Sequence, residues 1–307
     1  MSEFTMKKIW PAMVLIAVLA AGVYGSQTDP NDGVVFKKIV YKKAGGTELL
    51  LHVFEPKNRD VNAPAASFLL FHGGGWYKGE PDGLYPHCRY FAKLGMVAIS
   101  AQYRLSKDGN SPPFGAVEDA KSAVRYVRSH AASLGIDPNK IAVGGASAGG
   151  HLAACTALFD KFDAVDEDQM ISSRPNALVL ISAALDITPN GFTERILKKI
   201  GFHFAWVRSP DANVLSPMAH VKKISAPCLV LHGTADDLVP FKSAERFCKL
   251  MKEAGNNCRL AAMAGAGHGF SIYNPEPEGD NRQFKRAMLR IEDFFCSIGY
   301  LKVKIEL

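Results

Sequence analysis

Several features that mark other classes of protein are missing from this chain of 307 residues. No proline- or serine-rich linker, low-complexity tract or internal repeat interrupts it, which favours a single domain over residues 26–307. The longest basic runs are pairs such as Lys198-Lys199, so nucleic-acid binding is not expected. No two cysteines have C-x-x-C spacing, which argues against a zinc or redox site.

The composition that is present is that of an ordinary globular protein. Hydrophobic residues make up 48% of the chain and charged residues 21%, with a formal net charge of +6. This is enough apolar material for a large core. The mild basicity comes from scattered lysine and arginine, so it does not indicate a polyanionic partner.

The N-terminus carries the pattern of a secretory signal peptide. Lys7-Lys8 precede an apolar stretch from Ile9 to Ala21, and small residues follow it. The expected cut is after Gly25, with Gly22 as an alternative, and residues 1–5 are interpreted as an addition before the natural start. A membrane anchor would need a longer apolar run. We therefore expect a chain exported to the periplasm or the medium, with no stable membrane insertion after processing.

Six cysteines in an exported chain permit disulfides, since the count is even. Cys155, Cys228 and Cys248 lie within apolar patterns, where a free cysteine packs as a small hydrophobic residue. Cys258 could pair with either Cys248 or Cys296.

Strand-like and helix-like segments alternate along the chain. Val34–Tyr41 and Leu49–Phe54 flank two glycines and predict an antiparallel hairpin. Five nearly continuous apolar runs are typical of parallel strands buried on both faces: Ala66–Phe71, Met96–Ala101, Ile141–Gly145, Ala177–Ser182 and Cys228–His232. Amphipathic patterns predict helices over Ala116–Leu134, Lys242–Ala254 and Arg282–Ile298, and a further helix is expected from Ala148 to about Phe159.

This alternation predicts a mostly parallel sheet with helices on both faces. In such sheets, ligands bind beyond the carboxyl ends of the strands. The unusual residues of this sequence cluster at those predicted ends, so a functional site is expected there.

The first cluster is Gly145-Ala-Ser-Ala-Gly149, a match to G-x-S-x-G between a predicted strand and a predicted helix. Such a turn exposes the serine hydroxyl, and the helix N-terminus favours developing negative charge. The alternative is a glycine-rich turn that happens to contain serine. The context of strand and helix favours Ser147 as a nucleophile.

The second cluster is Phe71-His-Gly-Gly-Gly-Trp76. Three glycines expose backbone amides, and acyl transfer needs such amides aimed at an oxyanion. The predicted donors are Gly74 and Gly75, together with the amide of Ala148. The alternative is a flexible turn. We expect His72 to orient this loop rather than to act as a base.

The third and fourth clusters offer an acid and a base. Leu231-His-Gly-Thr-Ala-Asp-Asp-Leu-Val-Pro240 presents Asp236 and Asp237, of which one could orient a histidine and the other could stabilise the turn. Gly265-Ala-Gly-His-Gly-Phe270 places His268 in a loop, where it has the best context of the nine histidines. His232 is expected to be structural, and His151 to lie on a helix surface or to pack.

The four motifs together resemble the α/β-hydrolases, in the esterase and lipase branch that carries the HGGG motif and includes hormone-sensitive lipase. The resemblance is closer still to exported bacterial carbohydrate-type esterases such as acetylxylan and feruloyl esterases. It covers nearly all of the chain after the signal segment. It implies the order Ser147, Asp236, His268 for nucleophile, acid and base. Asp236 is preferred over Asp237 because that family's acid is the first residue of D-x-x-V-P.

The resemblance implies a serine carboxylesterase that acts on short acyl groups without a metal or cofactor. Its substrate would be a small-molecule or carbohydrate ester, such as acetylated plant polysaccharide. Most hormone-sensitive-lipase-like enzymes carry an N-terminal helical cap, and here little precedes the HGGG strand except the predicted hairpin, so an open site is expected. Substrate contacts are predicted from four aromatic residues: Trp76, Tyr77, Phe202 and Trp206.

Three other functions compete with this prediction. A feruloyl esterase would share every motif and differ in its acyl group. An arylformamidase- or peptidase-like enzyme would cleave an amide on the same fold. A non-catalytic binding protein would be expected to have lost the serine or the histidine, and this chain keeps both.

Overall fold

The structure is a computed structural model that describes residues 32–60, 63–106, 111–189, 191 and 205–302. The predicted signal segment over residues 1–25 lies outside these ranges. Within them, no helix is both long enough and apolar enough to cross a bilayer.

The strands of the described chain form one sheet. They are β1 (Val34–Ala44), β2 (Thr47–Pro56), β3 (Ala65–Phe71), β4 (Val97–Ala101), β5 (Ile136–Ala146), β6 (Ala177–Ile181), β7 (Cys228–Gly233) and β8 (Cys258–Met263). Their order across the sheet is β1-β2-β4-β3-β5-β6-β7-β8. β1 and β2 form an antiparallel hairpin, β2 runs antiparallel to β4, and every pair from β4 to β8 is parallel. The predicted hairpin and mostly parallel sheet are confirmed.

The helices of the described ranges are α1 (Tyr85–Lys93), α2 (Phe114–Ser129), α3 (Ala131–Leu134), α4 (Ala148–Leu158), α5 (Asp211–Leu215), α6 (Phe241–Glu253) and α7 (Arg282–Ser297). The helix predicted as continuous over Ala116–Leu134 is in fact two, because the backbone leaves the helical region at His130 (φ −103°, ψ 16°). Gly135 then ends α3 in the left-handed conformation, with φ 62°.

Alternating residues of the central strands divide the core between the two faces of the sheet. Along β3, Leu69 and Phe71 face one apolar cluster, which includes residues of α2, α4 and α6. Phe68 and Leu70 face the other, which includes residues of α1 and α7. All four side chains are fully buried. Helices therefore cover both faces, and the carboxyl ends of the parallel strands meet at one edge.

All six cysteines are free thiols in this structure, and five of them are buried. The sulfurs of Cys248 and Cys258 are 3.4 Å apart, well beyond the roughly 2.0 Å of a disulfide bond. Cys258 also lies opposite Cys228 in the pairing of β7 with β8. Neither of the two bridges that the sequence left open for Cys258 is formed, and the sulfurs of Cys228, Cys248 and Cys258 lie in the packing between β7, β8 and α6.

Candidate active site

Ser147 occupies the sharp turn between β5, which ends at Ala146, and α4, which begins at Ala148. Its φ of 55° and ψ of −117° put a non-glycine residue in a strained backbone region. The backbone amide donates to Ile181 O at 2.9 Å, and the carbonyl accepts from the amide of His151 at 3.0 Å. The turn is thus held on both sides, in the geometry expected of a nucleophile elbow.

The glycines around Ser147 are required by close backbone approach. A Cβ atom on Gly149 would lie 1.9 Å from Phe71 O, and one on Gly145 would lie 2.5 Å from the same oxygen. A Cβ on Gly150 would lie 2.6 Å from the Cβ of Ala183. None of these positions has room for a side chain, so the glycines let α4 pack directly against the ends of β3 and β6.

The glycine loop after β3 lies beside the same turn. A Cβ on Gly73 would lie 3.4 Å from the Cβ of Ser147. Gly74 has φ 122°, and its Cβ would lie 2.0 Å from Lys78 O, while Gly75 has φ 63°. Only glycine adopts such angles without strain. The predicted amide donors Gly74 and Gly75 therefore belong to a tightly folded loop next to Ser147, and Ala148 is the first residue of α4.

His72 is held inside this loop. Its Nδ1 lies 2.8 Å from Gly73 O, and its ring stacks on Tyr103 with the centroids 4.4 Å apart. Burial lowers the pKa of His72 to about 4, so the ring is neutral near pH 7. Tyr103 also donates from its hydroxyl to His72 O at 2.9 Å. No motif singles out Tyr103, and only the pairing of β3 with β4 in the sheet brings it to the loop.

Asp236 and His268 are in direct contact at the ends of β7 and β8. His268 Nδ1 lies 2.8 Å from Asp236 Oδ2, and Asp236 Oδ1 accepts the backbone amides of Leu238 and Val239 at 3.0 Å and 2.8 Å. Asp236 is only 8% exposed, whereas its neighbour Asp237 is exposed. Of the two candidate carboxylates, the structure brings Asp236 to the histidine.

Electrostatics keep this carboxylate ionised. Burial would raise the pKa of Asp236, but hydrogen bonds from His232 and His268 outweigh burial and hold the pKa well below its ordinary range. An ionised carboxylate at this position can fix the orientation of the imidazole and stabilise a positive charge on it.

Backbone contacts tie the acid loop to the base loop. The amide of Ala235 donates to Ala266 O at 3.0 Å, and the amide of Gly265 donates to Thr234 Oγ1 at 2.8 Å. A Cβ on Gly233 would lie 2.2 Å from Ala266 O. The relative position of Asp236 and His268 is therefore set by their main chains as well as by their side chains.

Of the predicted substrate contacts, Trp76 and Trp206 lie together. Both are nearly buried, at 4% and 5% exposed, and their rings meet edge to face with centroids 5.8 Å apart. Trp76 Nε1 donates to His151 Nδ1 at 3.1 Å, and His151 Nε2 lies 2.8 Å from Leu215 O. His151 is thus a fully buried packing residue, and the cluster joins the glycine loop, α4 and α5. Tyr77 is partly buried against the core. Phe202, the fourth predicted contact, lies outside the described residues.

The BD-FAE family model matches residues 51–251. The matched range runs from β2 into α6 and contains Ser147 and Asp236, and His268 follows it. Among curated proteins, the esterase LipQ of Mycobacterium tuberculosis is 27% identical over 236 residues, which are 74% of this chain and 56% of that protein. The chain thus spans little more than half the length of this curated relative.

Solved structures of esterase 2 from Thermogutta terrifontis also match. The form phosphorylated by paraoxon is 37% identical with a TM-score of 0.76, and the match covers 88% of this chain and 96% of that chain. The propionate-bound and butyrate-bound forms each have a TM-score of 0.77 at 37% identity, again covering 88% and 96%. The predicted α/β-hydrolase fold is therefore confirmed.

Proposed function

The chain belongs to the BD-FAE family of α/β-hydrolases, and from that membership we propose that it is a serine carboxylesterase. The observation that carries the proposal is the Asp236–His268 pair, which lies at the same edge of the sheet as a strained serine turn and a glycine loop. Esterase names among the similar proteins support the same reaction.

The proposed reaction proceeds through an acyl-enzyme. His268 takes the proton of Ser147 as Oγ bonds to the ester carbonyl carbon, and Asp236 stabilises the imidazolium. The amides of Gly74, Gly75 and Ala148 stabilise the oxyanion, with help from the N-terminus of α4. The imidazolium then protonates the departing alcohol. Water, deprotonated by His268, attacks the acyl carbon, and Ser147 leaves with the proton restored.

We propose short acyl groups as substrates. Esterase 2 was solved with bound propionate and butyrate, acids of three and four carbons, which supports a small acyl site in a similar fold. We propose that the edge-to-face pair of Trp76 and Trp206 forms the wall of the acyl side, since Trp76 directly follows the glycine loop. An acetylated plant polysaccharide would meet this requirement if its sugar chain formed the alcohol part of the ester. Release of acetate or ferulate from xylan distinguishes a deacetylase from a feruloyl esterase.

The deciding experiment is hydrolysis of p-nitrophenyl acetate by the wild-type chain and by Ser147→Ala. We expect kcat to fall roughly a million-fold, since the nucleophile and base act as a unit. Mass spectrometry should detect an acetyl group on Ser147 of the wild type during turnover. A Ser147→Ala protein that hydrolysed the ester at close to the wild-type rate would refute the mechanism.

We also propose that the protein acts outside the cytoplasm. The support is the sequence pattern alone, namely the Lys7-Lys8 pair, the short apolar stretch and the small residues up to Gly25. N-terminal sequencing of the protein from its natural host should give a start near Ser26. An uncut start recovered in the membrane fraction would favour an anchor instead.

A further inference from the structure

A second histidine contacts the candidate catalytic carboxylate. His232 is the last residue but one of β7 and is 0% exposed. Its Nε2 lies 3.2 Å from Asp236 Oδ2 and 2.9 Å from Val239 O. The sequence pattern indicates only that His232 is a buried residue at the end of a strand, and the fold shows that it lies beside Asp236.

The contacts of His232 determine which nitrogen carries its proton. Both neighbours of Nε2 are hydrogen-bond acceptors, so Nε2 must be the donor. Nδ1 is buried and has no hydrogen-bond partner among the described residues. A second proton on Nδ1 would therefore be buried without an acceptor, which is costly. The single N–H at Nε2 therefore faces both Asp236 Oδ2 and Val239 O.

This N–H completes the hydrogen bonds around the carboxylate. Asp236 Oδ2 accepts from His268 at 2.8 Å and lies 3.2 Å from His232 Nε2, whose N–H also faces Val239 O, while Oδ1 accepts the amides of Leu238 and Val239. The two amides hold Oδ1, and His232 Nε2 and His268 Nδ1 both lie beside Oδ2. Rotation of the carboxylate would break contacts at both oxygens, so Oδ2 stays directed at His268 Nδ1.

We infer that His232 is a positioning residue for catalysis, which holds Asp236 in register with His268 through its Nε2–H. The inference rests on the proposed function, because it assigns His232 a role in activating Ser147. His232 touches neither Ser147 nor the ester in this scheme. It acts by limiting the movement of Asp236, so its loss should slow the chemical step and leave substrate binding unchanged.

Two substitutions of similar polarity separate this role from ordinary packing. In His232→Gln the amide nitrogen is three bonds from Cβ, as Nε2 is in histidine, so it can still donate to Asp236. In His232→Asn the amide nitrogen is only two bonds from Cβ, at the position of Nδ1, and cannot reach. If His232 served only in packing, both variants should be affected alike. If His232 positions Asp236, His232→Asn should react more slowly than His232→Gln.

The probe is paraoxon with the full chain. Ser147 Oγ would attack phosphorus and expel p-nitrophenolate, while His268 takes the serine proton, so the rate of release reports activation of the serine. The amplitude of release counts the folded, active molecules separately. We expect His232→Asn to react about 10- to 100-fold more slowly than wild type, the size of one hydrogen bond to a charged group. His232→Gln should stay within about threefold of wild type.

Steady-state kinetics with p-nitrophenyl acetate should agree, with kcat of His232→Asn lowered by a similar factor and KM unchanged. The control is His52→Asn, which alters a histidine that is 5% exposed, lies on β2 and bonds Tyr85 at 2.7 Å. It should react at the wild-type rate.

Equal phosphorylation rates for His232→Gln and His232→Asn would overturn the inference, whether both match wild type or both are slow. A wild-type chain that is not phosphorylated at Ser147 would instead refute the proposed function, and the inference with it. Because the rate is measured on the active molecules alone, partial misfolding of a variant lowers the amplitude and leaves the rate unchanged.

Discussion

The candidate site has two halves, a serine half around Ser147 and an acid–base half around Asp236 and His268, and different interactions hold them in place. Around Ser147 the structure relies on steric fit, since the strained turn is enclosed by glycines whose Cβ atoms would clash with the backbone of neighbouring strands. Around Asp236 the carboxylate itself is held by polar contacts, since both of its oxygens accept N–H groups, and steric fit acts only on the main chain at Gly233. The serine half should therefore tolerate no added atoms, whereas the acid–base half should be sensitive to lost donors and acceptors.

The largest expected effect within this comparison is on the acid–base half. Asp236→Asn should lower kcat for p-nitrophenyl acetate by roughly 10,000-fold, because an amide can no longer hold the required imidazole tautomer and stabilise its charge. The matched control is Asp237→Asn, one residue along on an exposed side chain. It should change kcat by less than about threefold. A larger loss at Asp237 than at Asp236 would reverse the assignment of the acid.

The next largest effect is expected in the serine half, which depends on steric fit. Gly149→Ala puts a Cβ at 1.9 Å from Phe71 O, so α4 or β3 must move. We expect at least a 100-fold loss of kcat, since displacement of catalytic groups by about 1 Å has that cost. A lower midpoint of urea unfolding should accompany it.

The control for Gly149→Ala is Gly267→Ala, beside His268. Nothing lies within 4 Å of a Cβ at Gly267, and its φ is outside the left-handed region. Activity and unfolding midpoint should both stay close to wild type. A loss at Gly267 as large as that at Gly149 would mean that both halves depend on steric fit.

The same contrast explains what the sequence could predict. Apolar runs and glycine motifs predicted β1 to β7, the antiparallel hairpin and the parallel sheet, because burial on two faces and close backbone approach both leave a local pattern. No apolar run marked β8, whose central residues are partly exposed. Boundaries were less accurate, as the break at His130 and the early start of β5 at Ile136 show. These differences depend on contacts that local patterns do not contain.

Polar partners from other elements were not predictable in the same way. Tyr103 reaches His72 only because β4 lies next to β3, an order that sequence spacing does not reveal. His232 precedes Asp236 by four residues, so a turn between them was a usable signal, yet a histidine at a strand end is equally typical of packing. The choice between Asp236 and Asp237 likewise needed the resemblance to a family, since the residues alone left both open.

A smaller effect concerns the proposed acyl site at the Trp76–Trp206 pair. Because the Trp76–Trp206 pair is already packed edge to face, extended acyl chains should find no apolar space there. We expect kcat/KM for p-nitrophenyl esters to be highest between acetate and butyrate and to fall at least about tenfold by octanoate. The series should be measured below the concentrations at which long-chain esters aggregate. A rise that continued beyond octanoate would indicate a buried tunnel and a lipase-like preference.

The smallest effect should come from Tyr103→Phe, which removes a polar contact from the serine half, where steric fit otherwise dominates. The hydroxyl donates to His72 O at 2.9 Å, while the ring stacks on His72 and would be kept by phenylalanine. Loss of one neutral hydrogen bond should cost about 1 kcal/mol of loop stability, and kcat should fall about two- to tenfold with little change in KM. If kcat fell a hundredfold or more, the glycine loop would depend on polar contacts as strongly as Asp236 does, and the division between the two halves would be wrong.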